Sequence, residues 1–199
     1  MTEALSVPLV GQRDERWRNV LLGNSGETIG NYGCAIACLA MLGAHAQREP
    51  VQPLDVLNNM LRSVGGFYNR NLLRWGITHT IYSNLRYVGR IDIGVNRPAT
   101  VQEMRTIYDA LSRAAPIIIY VDSREKEPGL QQHFVLVVGA DAAEQSLVIH
   151  DPWFGDATCL CPRYGPTPQE AVCGVIIYDV LDTPPPRTFP ELRTRRVEC

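Results

Sequence analysis

Residues 34–42, CAIACLAML, are apolar almost all the way round a helical turn, so a helix built from them has no polar face to give to water. Such a helix has to be buried inside a domain, with other elements packed around it. The segment before it, GETIGNYG, carries three glycines and runs straight into Cys34. The chain therefore starts its most buried helix on a thiol. Gly43 marks the expected end of this helix.

Further along, PLDVLNNMLRSVGG from Pro53 reads as a second helix, with proline at an early position and paired glycines at its end. YNRNLLRWGITH reads as a short third. TVQEMRTIYDALSRAAP opens on Thr100 with Glu103 three residues later, a capping box, and closes at Pro116. The period then changes: PIIIYVD, HFVLVVGAD, SLVIHD and CGVIIYDVL are β-branched runs separated by turn-rich loops, the pattern of an antiparallel sheet. Helices followed by strands imply an α+β domain with the two halves face to face. VPLVGQRDERWRN before the first helix reads as an extended arm and a polar turn. The domain is expected over residues 1–182, and 183–199, with four prolines and four arginines, as an extended or disordered tail.

Composition narrows the partners. A net charge of -2 and a pI near 6.1 offer no basic field for nucleic acid or anionic lipid. No window reaches the ~20 apolar residues that span a bilayer, and the start lacks a basic signal-peptide region, so the expected location is cytoplasmic. Six cysteines, at 34, 38, 159, 161, 173 and 199, show neither a disulfide framework nor zinc-finger spacing. Free thiols and no metal or cofactor are expected. A metal site built from Cys34, Cys38, Cys159 and Cys161 is the weaker alternative.

A thiol at a helix N-terminus lies near unpaired N–H groups and the positive end of the helix dipole, which favour the thiolate, the nucleophilic form. Gly33 before it would let an acyl substrate come close. A nucleophilic cysteine needs a base, and the chain has four histidines. His45, in a polar loop after the helix, and His79 read as surface residues. His133 opens the strand HFVLVVGAD, and His150 precedes Asp151 in SLVIHD. These strands flank a short turn near residues 142–143 and should form a hairpin. A register joining residues of equal parity puts His133 and Asp151 on one face and His150 on the other; an odd register puts His133 beside His150. In the first case the carboxylate would orient and charge-stabilise the imidazole. Gln12, in GQRDERW, is the candidate side-chain donor to an oxyanion, together with the backbone N–H of Cys34.

The order Gln12, Cys34, His133, Asp151, in the contexts GQRDERW, LGNSGETIGNYGCAIACLAM, HFVLVVG and DPWFG, resembles the papain-like cysteine peptidases, in particular the bacteriocin-processing, double-glycine leader branch and its stand-alone relatives. The resemblance spans residues 7–180. It implies a papain-like fold, a Cys34–His133–Asp151 triad with Gln12 in the oxyanion hole, a thioester intermediate and a peptide or protein substrate. The other readings are different acyl chemistry on the same fold (peptidoglycan amidase, isopeptidase or transglutaminase-like) and a non-catalytic peptide-binding module. Cys38, one turn beyond Cys34, reads as core, with a redox partner of Cys34 as the alternative. Trp17, Trp75 and Trp153 read as packing residues, with shielding of the His133–Asp151 pair from water as the alternative for Trp153, and Asp14 and Asp156 are expected to cap turns.

Overall fold

The computed structural model describes residues 4–124, 127–141, 143 and 145–181, so the tail expected over 183–199 lies outside the described residues. An extended arm leads to the polar turn, where Asp14 accepts the Arg16 N–H at 3.0 Å as a turn cap. A short helical turn, α1 (Ile29–Tyr32), precedes the central helix α2 (Cys34–Gln47), and α3 (Leu54–Ser63) packs beside it. Ten residues of α2 are buried, as an all-round apolar helix requires.

Six strands form one antiparallel sheet: β3 (Leu85–Asp92), β4 (Ile117–Asp122), β5 (Gln132–Asp141), β6 (Ser146–Asp151), β7 (Asp156–Cys159) and β8 (Gly174–Val180), in the order β3-β8-β4-β5-β6-β7. Alternation along the strands gives the sheet two apolar faces. Tyr120, Leu136 and Ile176 share a core with Ile36, Leu39 and Leu42 of α2, whereas Ile119, Val135, Val137 and Val175 share one with Ile107 of α4 (Val101–Ser112). The Thr100–Glu103 capping box at the start of α4 is formed from both sides. The α+β, papain-like arrangement expected from the sequence is the one adopted.

Four local expectations are corrected. Gly43 does not end the helix: α2 runs on to Gln47, because Gly43 is where the Tyr82 ring packs, and a Cβ there would lie 2.5 Å from that ring. His45 accordingly sits in α2, with Nε2 3.0 Å from the Ala114 carbonyl, not in a loop. YNRNLLRWGITH is no α-helix. It forms a two-stranded ribbon, β1 (Phe67–Tyr68) and β2 (Leu72–Leu73), whose turn holds Asn69 and Arg70 at positive φ, and then a 3₁₀ helix at Trp75–Thr80. The helices and strands are also not segregated, since the edge strand β3 precedes α4. Its alternating burial is a strand signal, diluted by Gly89 and two arginines. A last short helix, α5 (Pro168–Ala171), leads into β8.

Candidate active site

Gly33 is the N-cap of α2 and contributes no side chain to it, so the first N–H groups of the helix are not satisfied by a cap. At Gly33 another backbone does approach closely: a Cβ would lie 2.5 Å from the Ile29 carbonyl oxygen of α1, so packing within the chain already requires the glycine. Cys34 follows, partly exposed. Burial raises its pKa, but the hydrogen bond and charge of His133, with the N–H groups of Phe134 and Ala35, outweigh that and hold the thiol below its ordinary value.

His133 is at the start of β5 and 6% exposed. Its Nε2 lies 2.9 Å from Asp151 Oδ1; because an ionised carboxylate only accepts, Nε2 carries the proton there, leaving Nδ1 for the sulfur. Burial opposes the imidazolium, yet Asp151 and Cys34 raise the His133 pKa to about 9. Thiol and imidazole shift in opposite senses, and the pair favours separated charges.

Asp151, at the end of β6, is fully buried. Oδ1 accepts from His133 and from the Trp153 N–H at 3.0 Å; Oδ2 accepts from the Tyr164 hydroxyl at 2.5 Å and from Arg163 Nη1 at 3.1 Å. Burial disfavours the charge, but these donors prevail and lower the pKa to about 2. Asp151 is a fixed anion over any working pH.

Gln12 is 1% exposed. Its N–H donates to the Pro152 carbonyl at 2.8 Å, which ties it to the loop after Asp151. Its Nε2 donates to the Gly30 carbonyl at 3.0 Å, which ties it to the turn before Cys34. An amide nitrogen has two protons, so one remains for another acceptor. Gln12, Cys34 and His133 line one cleft of about 1030 Å³, together with Tyr68, Leu72, Trp75, Trp153 and Phe154.

All four residues singled out from the sequence thus converge. Tyr164 and Arg163 were not singled out. The Tyr164 ring lies 5.9 Å from the His133 ring, and Trp153 contributes its backbone N–H to Asp151. Arg163 grips Asp156 through both nitrogens at 2.7 and 2.8 Å, so Asp156 anchors that guanidinium and does not cap a turn.

The remaining candidates lie elsewhere. His150 projects from the other face of β6, 8% exposed, its Nδ1 without a partner among the described residues and its pKa lowered by burial. His79 is exposed on the 3₁₀ helix. Cys38 has no exposed surface, and burial, then the charges of Cys34 and Asp151, raise its pKa well above the ordinary value. Among the described residues, no group of three or more His, Cys, Asp or Glu side chains is placed to hold a metal ion. No described helix is long and apolar enough to cross a membrane.

A comparison with curated proteins finds no match. The profile of the Peptidase_C39 like family matches residues 4–160, well over half of the chain, a stretch that includes Gln12, Cys34, His133 and Asp151. With that match on a papain-like α+β fold, the chain belongs to the Peptidase_C39 like family, a family of cysteine peptidases.

Proposed function

We propose that the protein is a cysteine peptidase that hydrolyses a peptide or amide bond through Cys34, His133 and Asp151, with Gln12 as an oxyanion donor. The observation that carries this reading is the His133 ring, held by Asp151 at 2.9 Å through one nitrogen and coupled to the partly buried Cys34 thiol through the other. The thiolate attacks the acyl carbon, the carbonyl electrons move onto oxygen, and that oxyanion accepts from the Cys34 N–H and the second Nε2 proton of Gln12. The imidazolium then gives its Nδ1 proton to the departing nitrogen, leaving a thioester. Water, deprotonated by His133, attacks the thioester and restores the thiolate. Proton transfer by His133 contributes about 10²–10⁴-fold in rate, and each oxyanion donor about 10²–10³-fold.

The finer placing, in the bacteriocin-processing branch, is supported by the sequence contexts of the four residues, and makes peptides with paired glycines before the scissile bond the first substrates to assay. Cell-wall peptides assayed in parallel separate a peptidase from an amidase. The decisive experiment maps iodoacetamide adducts on the native protein from about pH 5 to about pH 9. Cys34 should react first and already at low pH, and His133→Ala should abolish that lead. Uniform labelling of several cysteines with an ordinary thiol pH profile refutes the reading.

A further inference from the structure

The cleft is lined by five charged side chains: Glu27, Arg90, Arg124, His133 and Arg163. Four of them are neutralised within the protein. Arg90 meets Asp92 at 2.6 Å, Arg124 meets Glu127 at 3.1 Å, Arg163 meets Asp156 at 2.7 Å and Asp151 at 3.1 Å, and His133 meets Asp151 at 2.9 Å. Glu27 differs. Among the described residues its carboxylate has no ion pair and accepts no hydrogen bond. The Arg62 guanidinium, held at the same loop, donates to Asn24 Oδ1 at 3.3 Å instead.

The backbone that carries Glu27 is fixed. The Leu22 N–H donates to the Glu27 carbonyl at 2.7 Å, and the Glu27 N–H to Ser25 Oγ at 3.1 Å. The loop is pinned to the β1–β2 ribbon by the Asn24 N–H on the Arg70 carbonyl at 2.7 Å, and to α3 by the Gly23 N–H on Asn58 Oδ1 at 2.8 Å. Tyr32, 54% exposed, and Tyr68, 44% exposed, turn aromatic surface to the same cleft. An unpaired carboxylate with open aromatic rings in one cleft suits a cation on an aliphatic stem: the carboxylate meets the charge, and the rings cover the stem or take the charge on their faces. Gln12, Trp153 and Phe154 gather at the His133–Asp151 end, where a leaving nitrogen takes its proton. Glu27 belongs instead to the loop pinned to the β1–β2 ribbon.

We infer that the ribbon side of the cleft takes the acyl part of the substrate and that Glu27 makes it selective for a lysine or arginine side chain there, an inference that rests on the peptidase reading. The test uses peptidyl acyloxymethyl ketones, in which the Cys34 thiolate forms an S–C bond as the acyloxy group leaves as a carboxylate, so no turnover is needed. At each acyl-side position in turn, lysine, norleucine and glutamate probes are compared for the second-order rate of Cys34 modification. At one position the lysine probe should exceed norleucine by about fivefold, or about 1 kcal/mol at 1.4 kcal/mol per tenfold, the upper end for a solvent-exposed ion pair. Glu27→Gln should bring that ratio to about one, and Glu27→Lys should shift the preference to glutamate. Equal rates at every position, or a lysine preference that survives Glu27→Gln, overturns the inference and leaves the peptidase reading standing. Failure of every probe to modify Cys34 ahead of the other thiols overturns both.

Discussion

Replacing Asp151 by asparagine changes one atom and tests how the buried carboxylate is held. All four of its neighbours are donors: His133 and the Trp153 N–H on Oδ1, Tyr164 and Arg163 on Oδ2. An asparagine amide accepts on one side only, so its NH₂ must face one pair of donors. Facing Tyr164 and Arg163 is the better choice, because the Tyr164 hydroxyl can turn and accept, whereas a guanidinium never can. One charge-assisted bond is then lost and three become neutral. With about 1.5–3 kcal/mol for a hydrogen bond to a charged group and about 1 kcal/mol for a neutral one, Asp151→Asn should destabilise the protein by about 3–9 kcal/mol. Urea unfolding followed by tryptophan fluorescence measures this. The imidazolium also loses its counter-ion, so iodoacetamide labelling of Cys34 should shift to higher pH. Tyr164→Phe, which leaves the carboxylate and Arg163 in place, should cost about 1–3 kcal/mol. A destabilisation by Asp151→Asn below about 0.5 kcal/mol, with the Cys34 labelling profile unmoved, refutes this account of the pocket.

Asp151 also sets an acid limit: its folded pKa of about 2 lies below the ordinary 3.8, so its contribution is present above about pH 4 and lost as pH falls towards 2. The stability gap between the wild type and Asp151→Asn should therefore narrow by about 2 kcal/mol from pH 4 to pH 2, and a gap that stays constant contradicts it. Gln12→Ala should lower kcat by about 10²–10³-fold while leaving the rate of Cys34 alkylation by iodoacetamide within about twofold, since alkylation forms no oxyanion; equal losses in both assays point to a misplaced thiol instead. Gly43→Ala gains about 1 kcal/mol of helix propensity but drives a methyl against the buried Tyr82 ring, so a net loss of about 1–2 kcal/mol is expected on denaturation, recovered in part by Tyr82→Leu.

What could be read from the sequence follows from whether a signal is local. The burial of α2, the Thr100–Glu103 box and the four β-branched strands are each written in a contiguous pattern, and each is found. Gly43 misleads because the residue that requires it, Tyr82, is remote in sequence. β1 and β2 supply only two residues each, too few for a period. Tyr164 and Arg163 sit in CPRYGPTP, which carries no periodic or catalytic pattern. Their place beside Asp151 arises only when β7 folds back on β6 and sets Asp156 opposite Asp151.

The convergence of His133 and Asp151 depends on one residue that the pattern of the strands does not show. Next to the turn, Asp141 pairs with Ser146, Ala140 with Leu147 and Gly139 with Val148. Continued unchanged to the cleft, that register would place His133 on the face of His150, the arrangement in which no carboxylate meets the imidazole. Val138 is the extra residue. Below it Val137 pairs with Ile149 and Leu136 with His150, so parity is exchanged and His133 shares a face with Asp151. The bulge is held from outside the hairpin: the Leu5 N–H donates to the Val138 carbonyl at 2.7 Å, and Ala4 rests on Gly139, where a Cβ would lie 2.9 Å from its Cα. An arm more than a hundred residues away in sequence therefore steadies the register on which the site depends. A hairpin of the same two strands without that one residue of offset would keep every side chain of the site and lose the contact between its base and its acid.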